Sequence, residues 1–234
     1  MKKFNLNDTA PRRKFLQTLT AGSVAIGVAT VLTPFQQLQA EATVTLNNND
    51  DPDEWFNKIK GKHRIVFDAT GPHEIFPFAW PKVFMLTNAA TGTPEKESNV
   101  VVVLRHNAIP YALPDNLWAK YNLGEMFKID DPKTRKASLR NPFWKPGADD
   151  FKVPGIGPVP IGINELQESG IMFCVCNMAL RVYGAVIADQ TKQKPDDVLK
   201  ELEAAVLPGI QLVPSGVWAV GRAQEHGCGY CFVG

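Results

Sequence analysis

Short apolar runs alternate with longer helix-like stretches along most of the chain. The runs are rich in β-branched residues and lie at 63–68, 99–106, 170–176, 210–214 and 230–234. Continuous apolar runs, as opposed to strict alternation, are typical of strands buried on both faces. Their regular exchange with helices predicts a parallel sheet. The predicted fold class is α/β, a three-layer α/β/α domain with a mostly parallel sheet of about five strands.

Two segments depart from this pattern. Residues 43–61 are polar and rich in Asn and Asp, which predicts a flexible lead-in. Residues at about 131–160 are rich in Pro, Gly and charge, and they form an insertion between the second and third strands. Loops of that length are usually a lid, an assembly contact or a surface decoration, and we expect this one to lack regular strands. The α/β domain itself is predicted over 62–234.

The first 42 residues have the order of an export signal. They contain paired arginines at Arg12 and Arg13, a weakly apolar stretch at 21–32, and small residues at Ala40 and Ala42. Arg-Arg followed by Phe-Leu resembles the twin-arginine (Tat) class of signal. The apolar stretch is shorter than the roughly 20 residues that span a bilayer. We therefore predict a signal peptide over 1–42, export to the periplasm by the Tat machinery, and no permanent membrane anchor.

Charge excludes one class of partner. The whole chain has a formal net charge of +1, of which the export signal carries +3, since five Lys and Arg stand there against Asp8 and Glu41, so the part that follows is at −2. The part that follows carries no cluster of Lys and Arg of the kind that binds phosphates. No nucleic-acid partner is expected.

The four cysteines allow three kinds of chemistry. Cys174 and Cys176 with Cys228 and Cys231 have the count for a tetrahedral zinc site. If their strands run the same way, however, Cys176 and Cys228 lie at opposite ends, on the order of 15 Å apart. A disulfide between Cys228 and Cys231 can form if the chain turns at Gly229, since the periplasm is oxidising. No cofactor and no metal is predicted.

The third possibility is a reactive thiol. On a strand, Cys174 and Cys176 point to the same face. Cys174 lies inside a buried run, where cysteine behaves as a small hydrophobe. Cys176 lies at the carboxyl end of the strand, and Asn177 is placed to cap the helix that follows. Backbone N–H groups at a helix N-terminus stabilise a thiolate, so Cys176 is the better nucleophile, unless it too is a packed core residue.

Two stretches resemble a known family. "CNMAL" at 176–180, then a helix, then "VLPGIQLVPSGVWAVGRAQEHGCGY" at 206–230 closely resemble the DsrE/DsrF-like (YchN-like) sulfur-relay family. The resemblance is strongest from residue 170 onward. It implies five parallel strands in the order 2-1-3-4-5, a homo-oligomer, and a persulfide carried on Cys176 and handed between proteins. Relay members work in the cytoplasm, so the export signal leaves the sulfur donor and acceptor unidentified.

Other candidate site residues follow the strands at their carboxyl ends. With the order that the resemblance implies, the binding crevice lies between the first and third strands. The candidates there are Asp68, Thr70, His73, Arg105, His106, Ser215 and Trp218. His106 or His73 is suited to take the thiol proton, and Arg105 to steady a thiolate. Ser215 also suits a helix N-cap and Trp218 the core, while His63 and His226 fall at the opposite edge.

Two functions of different classes remain open. The first is a protein that binds or transfers sulfane sulfur through Cys176. The second is a non-catalytic periplasmic binding or assembly module in which the cysteines are structural.

Overall fold

The computed structural model describes residues 53–234. The predicted export signal over 1–42 and the lead-in as far as residue 52 lie outside the described residues. Among the helices of residues 53–234, none has the length and apolar character that crossing a membrane requires.

The centre of the domain is a parallel sheet. The strands, in chain order, are β1 (His63–Ala69), β2 (Ser98–Leu104), β3 (Lys152–Val153), β4 (Gly157–Pro158), β5 (Met172–Cys176), β6 (Ile210–Val213) and β7 (Gly229–Val233). Five of them form one sheet in the order β6-β5-β2-β1-β7, and every neighbouring pair in it is parallel. The predicted sheet of about five parallel strands is confirmed.

Helices cover both faces of this sheet. The α-helices are α1 (Phe76–Ala90), α2 (Asp115–Tyr121), α3 (Leu123–Phe127), α4 (Ile163–Glu168), α5 (Asn177–Thr191), α6 (Pro195–Ala204) and α7 (Gly216–Glu225). Short 3₁₀-helices span Glu54–Lys58, Glu95–Glu97 and His106–Ala112.

The two faces bury separate cores. The first core contains Val100, Val102 and Leu104 together with side chains of α1 to α6. The second core contains Val101 and Val103 together with α7 and the first 3₁₀-helix. Alternate residues of β2 thus point into opposite cores, which is why its valine run is continuous. The three-layer prediction is confirmed.

The order of the strands differs from the order that the family resemblance implies. β2 lies between β1 and β5, and the last strand pairs with β1. From β1 to β6 the chain moves in one direction across the sheet, so right-handed crossovers put α1 to α6 on one face. The return from β6 to β7 puts α7 on the other face. The chain leaves β5 toward one face of the sheet and leaves the neighbouring strand β6 toward the other face. The binding crevice is therefore expected between β5 and β6, and not between the first and third strands.

The insertion between β2 and β5 is more ordered than expected. β3 and β4 form a two-stranded antiparallel pair within it, so the expectation that 131–160 has no regular strand is wrong in this detail. Arg140 holds the segment together, because it binds Asp131 at 2.7 Å and Asp150 at 2.9 Å. The buried amide of Asn141 donates to the carbonyl of Tyr111 and so ties the insertion to the body of the domain.

The lead-in is also partly structured. Trp55, Phe56 and Ile59 are buried in the second core, and the Phe56 ring meets the Trp218 ring edge-on at 5.7 Å. The prediction of a flexible lead-in over 43–61 is corrected here for residues 54–59. Burial of two aromatic side chains outweighs the polar composition of the surrounding segment.

Candidate functional site

Cys176 lies at the junction of β5 and α5. It is the last residue of the strand and the N-cap of the helix, and its Sγ accepts a hydrogen bond from the Ala179 N–H at 3.3 Å. The sulfur therefore takes the place that a Ser or Asp oxygen occupies at most helix N-termini. Asn177, expected to cap this helix, instead donates from its side chain to Glu203 at 2.6 Å.

Cys174 has a different environment. It is fully buried in the second core, and this burial raises the pKa of its thiol well above the usual range. Cys176 contacts the first core, because the chain turns into α5 at that point and α5 packs on the first face. The two cysteines thus contact different cores, which corrects the expectation of a shared face.

The other two cysteines lie far from this junction. All four cysteines are free thiols. Strands β2 and β1 separate β5 from β7, so three strand spacings, about 14 Å, lie between Cys174 and Cys231. Cys228 packs in the second core and Cys231 against the first, on opposite faces of the sheet. Burial raises the pKa of Cys228 to about 11.

A metal site is not formed by the described residues. Within 53–234 no group of three or more His, Cys, Asp and Glu side chains is close enough to hold a metal ion. The zinc alternative therefore has no geometric basis in this part of the chain. The disulfide alternative has none because Cys228 and Cys231 contact opposite faces of the sheet.

Arg105 lies beside Cys176. The pairing of Leu104 with Val175 puts the next residue of each strand at the same level, about one strand spacing of 4.8 Å apart. The Arg105 N–H continues the ladder by donating to the Ala69 carbonyl at 3.0 Å. An arginine and a cysteine thus meet at the carboxyl edge of the sheet.

The Arg105 guanidinium is held by a buried carboxylate. Its Nε and Nη2 donate to the two oxygens of Asp68 at 2.6 and 2.8 Å. The Tyr230 hydroxyl donates to the same carboxylate at 2.8 Å. The hydrogen bond to Asp68 is the main cause that raises the pKa of Arg105. Burial, followed by its hydrogen bond to Asp68, raises the pKa of Tyr230.

The start of α7 closes the site on the other side. A Cβ added to Gly216 would lie 2.5 Å from the Cβ of Arg105, so the arginine stem packs directly on this glycine. Ser215 is the N-cap of α7 and accepts from the Trp218 N–H at 3.2 Å, which confirms the helix-cap interpretation. Trp218 packs against the second core.

A pocket of about 270 Å³ opens between the ends of β5 and β6. Its lining is largely apolar and consists of Arg105, His106, Cys176, Met178, Ala179, Val182, Tyr183, Ser215, Gly216 and Val217. Open α/β sheets bind ligands at such a switch in strand connections. The pocket contains three of the four residues predicted to act in catalysis.

The fourth predicted residue lies elsewhere. His73 is exposed on the loop after β1, with its ring 5.3 Å from that of Phe76 and 6.5 Å from that of Trp80. The predicted crevice between the first and third strands, to which His73 was assigned, does not exist because β2 lies between them. His63 begins β1 and His226 follows α7, both at the opposite edge as expected.

Sequence reasoning missed Tyr183, Gly216 and Tyr230. Tyr183 lies two helical turns after Cys176 on α5, a spacing that places both on one face of the helix. Its hydroxyl contacts the Asn107 side chain, and its ring lies 6.1 Å from that of His106. Gly216 and Tyr230 lie inside the "VPSGV" and "GCGY" stretches. The family resemblance drew attention to these stretches, but it gave neither residue a role.

The comparisons with known proteins add little to this picture. No protein-family model and no curated protein matches the chain. Among solved structures, a protein of unknown function from Methanobacterium thermoautotrophicum is similar at 17% identity, over 73% of this chain and 99% of that one, with a TM-score of 0.39. Similarity at that level carries no statement about chemistry.

Proposed function

We propose that this chain is an exported, DsrE-like protein that binds or transfers sulfane sulfur as a persulfide on Cys176. The observation that supports the proposal is the position of its Sγ, at a helix N-terminus and in the wall of an open pocket. A thiolate gains from backbone N–H groups at such a position. The resemblance of 176–180 and 206–230 to the sulfur-relay family points to the same chemistry.

The proposed step is a sulfur exchange without net oxidation. The Cys176 thiolate attacks the outer sulfur of a donor R–S–SH, a bond forms between Sγ and that sulfur, and the donor S–S bond breaks. The bond's electron pair leaves with R–S⁻, which takes up a proton to give R–SH. The reverse exchange with an acceptor thiol would return Cys176 to its starting state.

Two neighbours are assigned roles in this step. His106 is exposed at the pocket and is the base that accepts the thiol proton. Arg105, one strand spacing from Cys176, steadies the thiolate. Export by the Tat route, a periplasmic location and a homo-oligomeric state belong to the proposal as well.

The test is mass spectrometry of the mature chain after incubation with n-butyl persulfide, polysulfide or thiosulfate. We expect a gain of about 32 Da on Cys176, the mass of one sulfur atom. The gain should vanish in Cys176→Ser and persist in the matched variant Cys174→Ser. Four unmodified cysteines in the wild-type chain would contradict the proposal and favour a non-catalytic binding or assembly module.

A further inference from the structure

We propose that Asp68, through its pairing with Arg105, makes the Cys176 pocket select organic persulfides with an apolar group over the thiosulfate dianion. The inference rests on the proposed function and concerns the class of donor that the same site accepts.

The walls of the pocket suit an apolar donor group. Met178, Ala179, Val182 and Val217 line it, and Val182 and Val217 are 52% and 66% exposed. Exposed apolar side chains gathered at one opening favour a ligand that removes them from water. A small alkyl or aryl group on the donor sulfur would do so, whereas a sulfonate would not.

The charge of the site opposes a dianion. Arg105 is a cation in the lining, but two of its nitrogens already bind both oxygens of Asp68. The Asp68 side chain is only 3% exposed, so water screens its charge little. The ion pair has no net charge, and the attacking thiolate is negative. Asp68, Arg105 and the thiolate together carry one net negative charge, so the site repels a dianion.

The other polar groups near the pair do not change this balance. Tyr230 donates to Asp68 through a neutral hydroxyl. His106 is a cation once it has taken the thiol proton, but it is exposed, so solvent screens that charge. Ser215 is used as the cap of α7. None of them offers a second buried cation to a sulfonate.

Both donors deliver sulfur by the same exchange. With R–S–SH, the Sγ–S bond forms and R–S⁻ leaves with the electron pair of the broken S–S bond. With thiosulfate, the same bond forms and sulfite leaves with that pair, which gives the persulfide anion on Cys176. The two reactions differ in the charge and shape of the donor, so the ratio of their rates reports on the selectivity of the pocket.

The experiment uses the mature chain with n-butyl persulfide and with thiosulfate, and follows persulfide formation on Cys176 by timed quenching and mass spectrometry. A peptide of residues 176–180 supplies the intrinsic rate ratio of the two donors. Relative to this peptide, we expect the folded protein to favour the butyl donor at least about tenfold, the scale of a 1.4 kcal/mol difference. A protein ratio equal to the peptide ratio would overturn the inference.

Two matched variants assign the effect to Asp68. Asp68→Asn keeps the shape and removes the charge, which frees Arg105 to attract the dianion, so the preference should fall by about tenfold. Asp189→Asn makes the same change on an exposed side chain near the end of α5, about 20 Å from Cys176 along the helix. It should leave the preference unchanged, and equal effects of the two variants would refute the role of Asp68.

Failure of the inference and failure of the proposed function look different. If neither donor modifies Cys176 while the peptide reacts, the proposed function is wrong and the inference falls with it. If both donors modify Cys176 in the peptide's ratio, the function stands and only the selectivity is wrong. The wild-type ratio decides this even if Asp68→Asn does not fold.

Discussion

Alkylation of the folded protein distinguishes the two cysteines of β5. Cys174 is fully buried, with Val103 and Gln211 beside it on the neighbouring strands and α7 over it. A reagent reaches it only when α7 leaves the sheet. Cys176 lines an open pocket and is 6% exposed. Iodoacetamide should therefore modify Cys176 in the native state and Cys174 only through unfolding.

The expected difference follows from the cost of that opening. Exposing the centre of the sheet requires the free energy of global unfolding, about 5–15 kcal/mol for a domain of this kind. At the lower limit the open fraction is about 10⁻⁴. If the slight exposure of Cys176 slows its reaction about tenfold, Cys176 should still react about a thousandfold faster than Cys174.

The assay is timed labelling after mild reduction. The two cysteines lie two residues apart and share a tryptic peptide, so fragment-ion spectra are needed to separate them, with Cys176→Ser and Cys174→Ser as references. Labelling in guanidinium chloride gives the unfolded rates, which should converge. A Cys174 rate within tenfold of the Cys176 rate in the folded chain would refute the assignment of Cys176 as the reactive thiol.

Three further predictions test the wall of the site, the insertion and the export signal. Gly216→Ala should lower the free energy of unfolding by about 1–3 kcal/mol, because its Cβ would collide with the arginine stem. Gly221 lies in the same helix and has no atom within 4 Å of an added Cβ, so Gly221→Ala should not lower the free energy of unfolding measured by urea titration. An equal loss of unfolding free energy in the two variants would contradict the packing argument. Arg140→Met should cost about 2 kcal/mol at pH 7, because it leaves two carboxylates without their arginine. Burial alone would raise the pKa of both carboxylates, but backbone N–H groups, the Lys133 ammonium and Arg140 hold it below the usual range, so Arg140 supplies part of the lowering. The stability that these interactions add is present above about pH 3.9 and is lost as the pH falls through the lower pKa values of the two carboxylates in the folded state. The loss of unfolding free energy in Arg140→Met should therefore shrink in acid, and a loss that does not change with pH would contradict this origin. Replacing Arg12 and Arg13 together by Lys should leave the precursor in the cytoplasm on cell fractionation, and unchanged periplasmic levels would rule out the Tat route.

Several parts of the candidate site were predictable because they depend on local sequence. Cys176 ends an apolar run and precedes a helical pattern, which is enough to place it at a helix N-terminus. Ser215 precedes a second helix and caps it for the same reason. Arg105 and His106 follow an apolar run, and in a parallel sheet all such positions share one edge.

His73 shows the limit of that argument. It satisfies the same local rule, since it follows β1, but it lies apart from the pocket beside Phe76 and Trp80. Sharing an edge does not make two residues neighbours, because the distance between them depends on how many strands separate them.

The sequence by itself determined the five strands of the main sheet, that this sheet is parallel, and that Cys176 stands at a helix N-terminus. Apolar periodicity and capping act over a few residues, so they can be read locally. Only the tertiary structure decided that β2 separates β1 from β5, that Trp55 and Phe56 belong to the core, and that Asp68 meets both Arg105 and Tyr230, the latter 162 residues away. Strand order arises from how whole helices pack on the two faces of the sheet, and that is a property of contacts between distant segments.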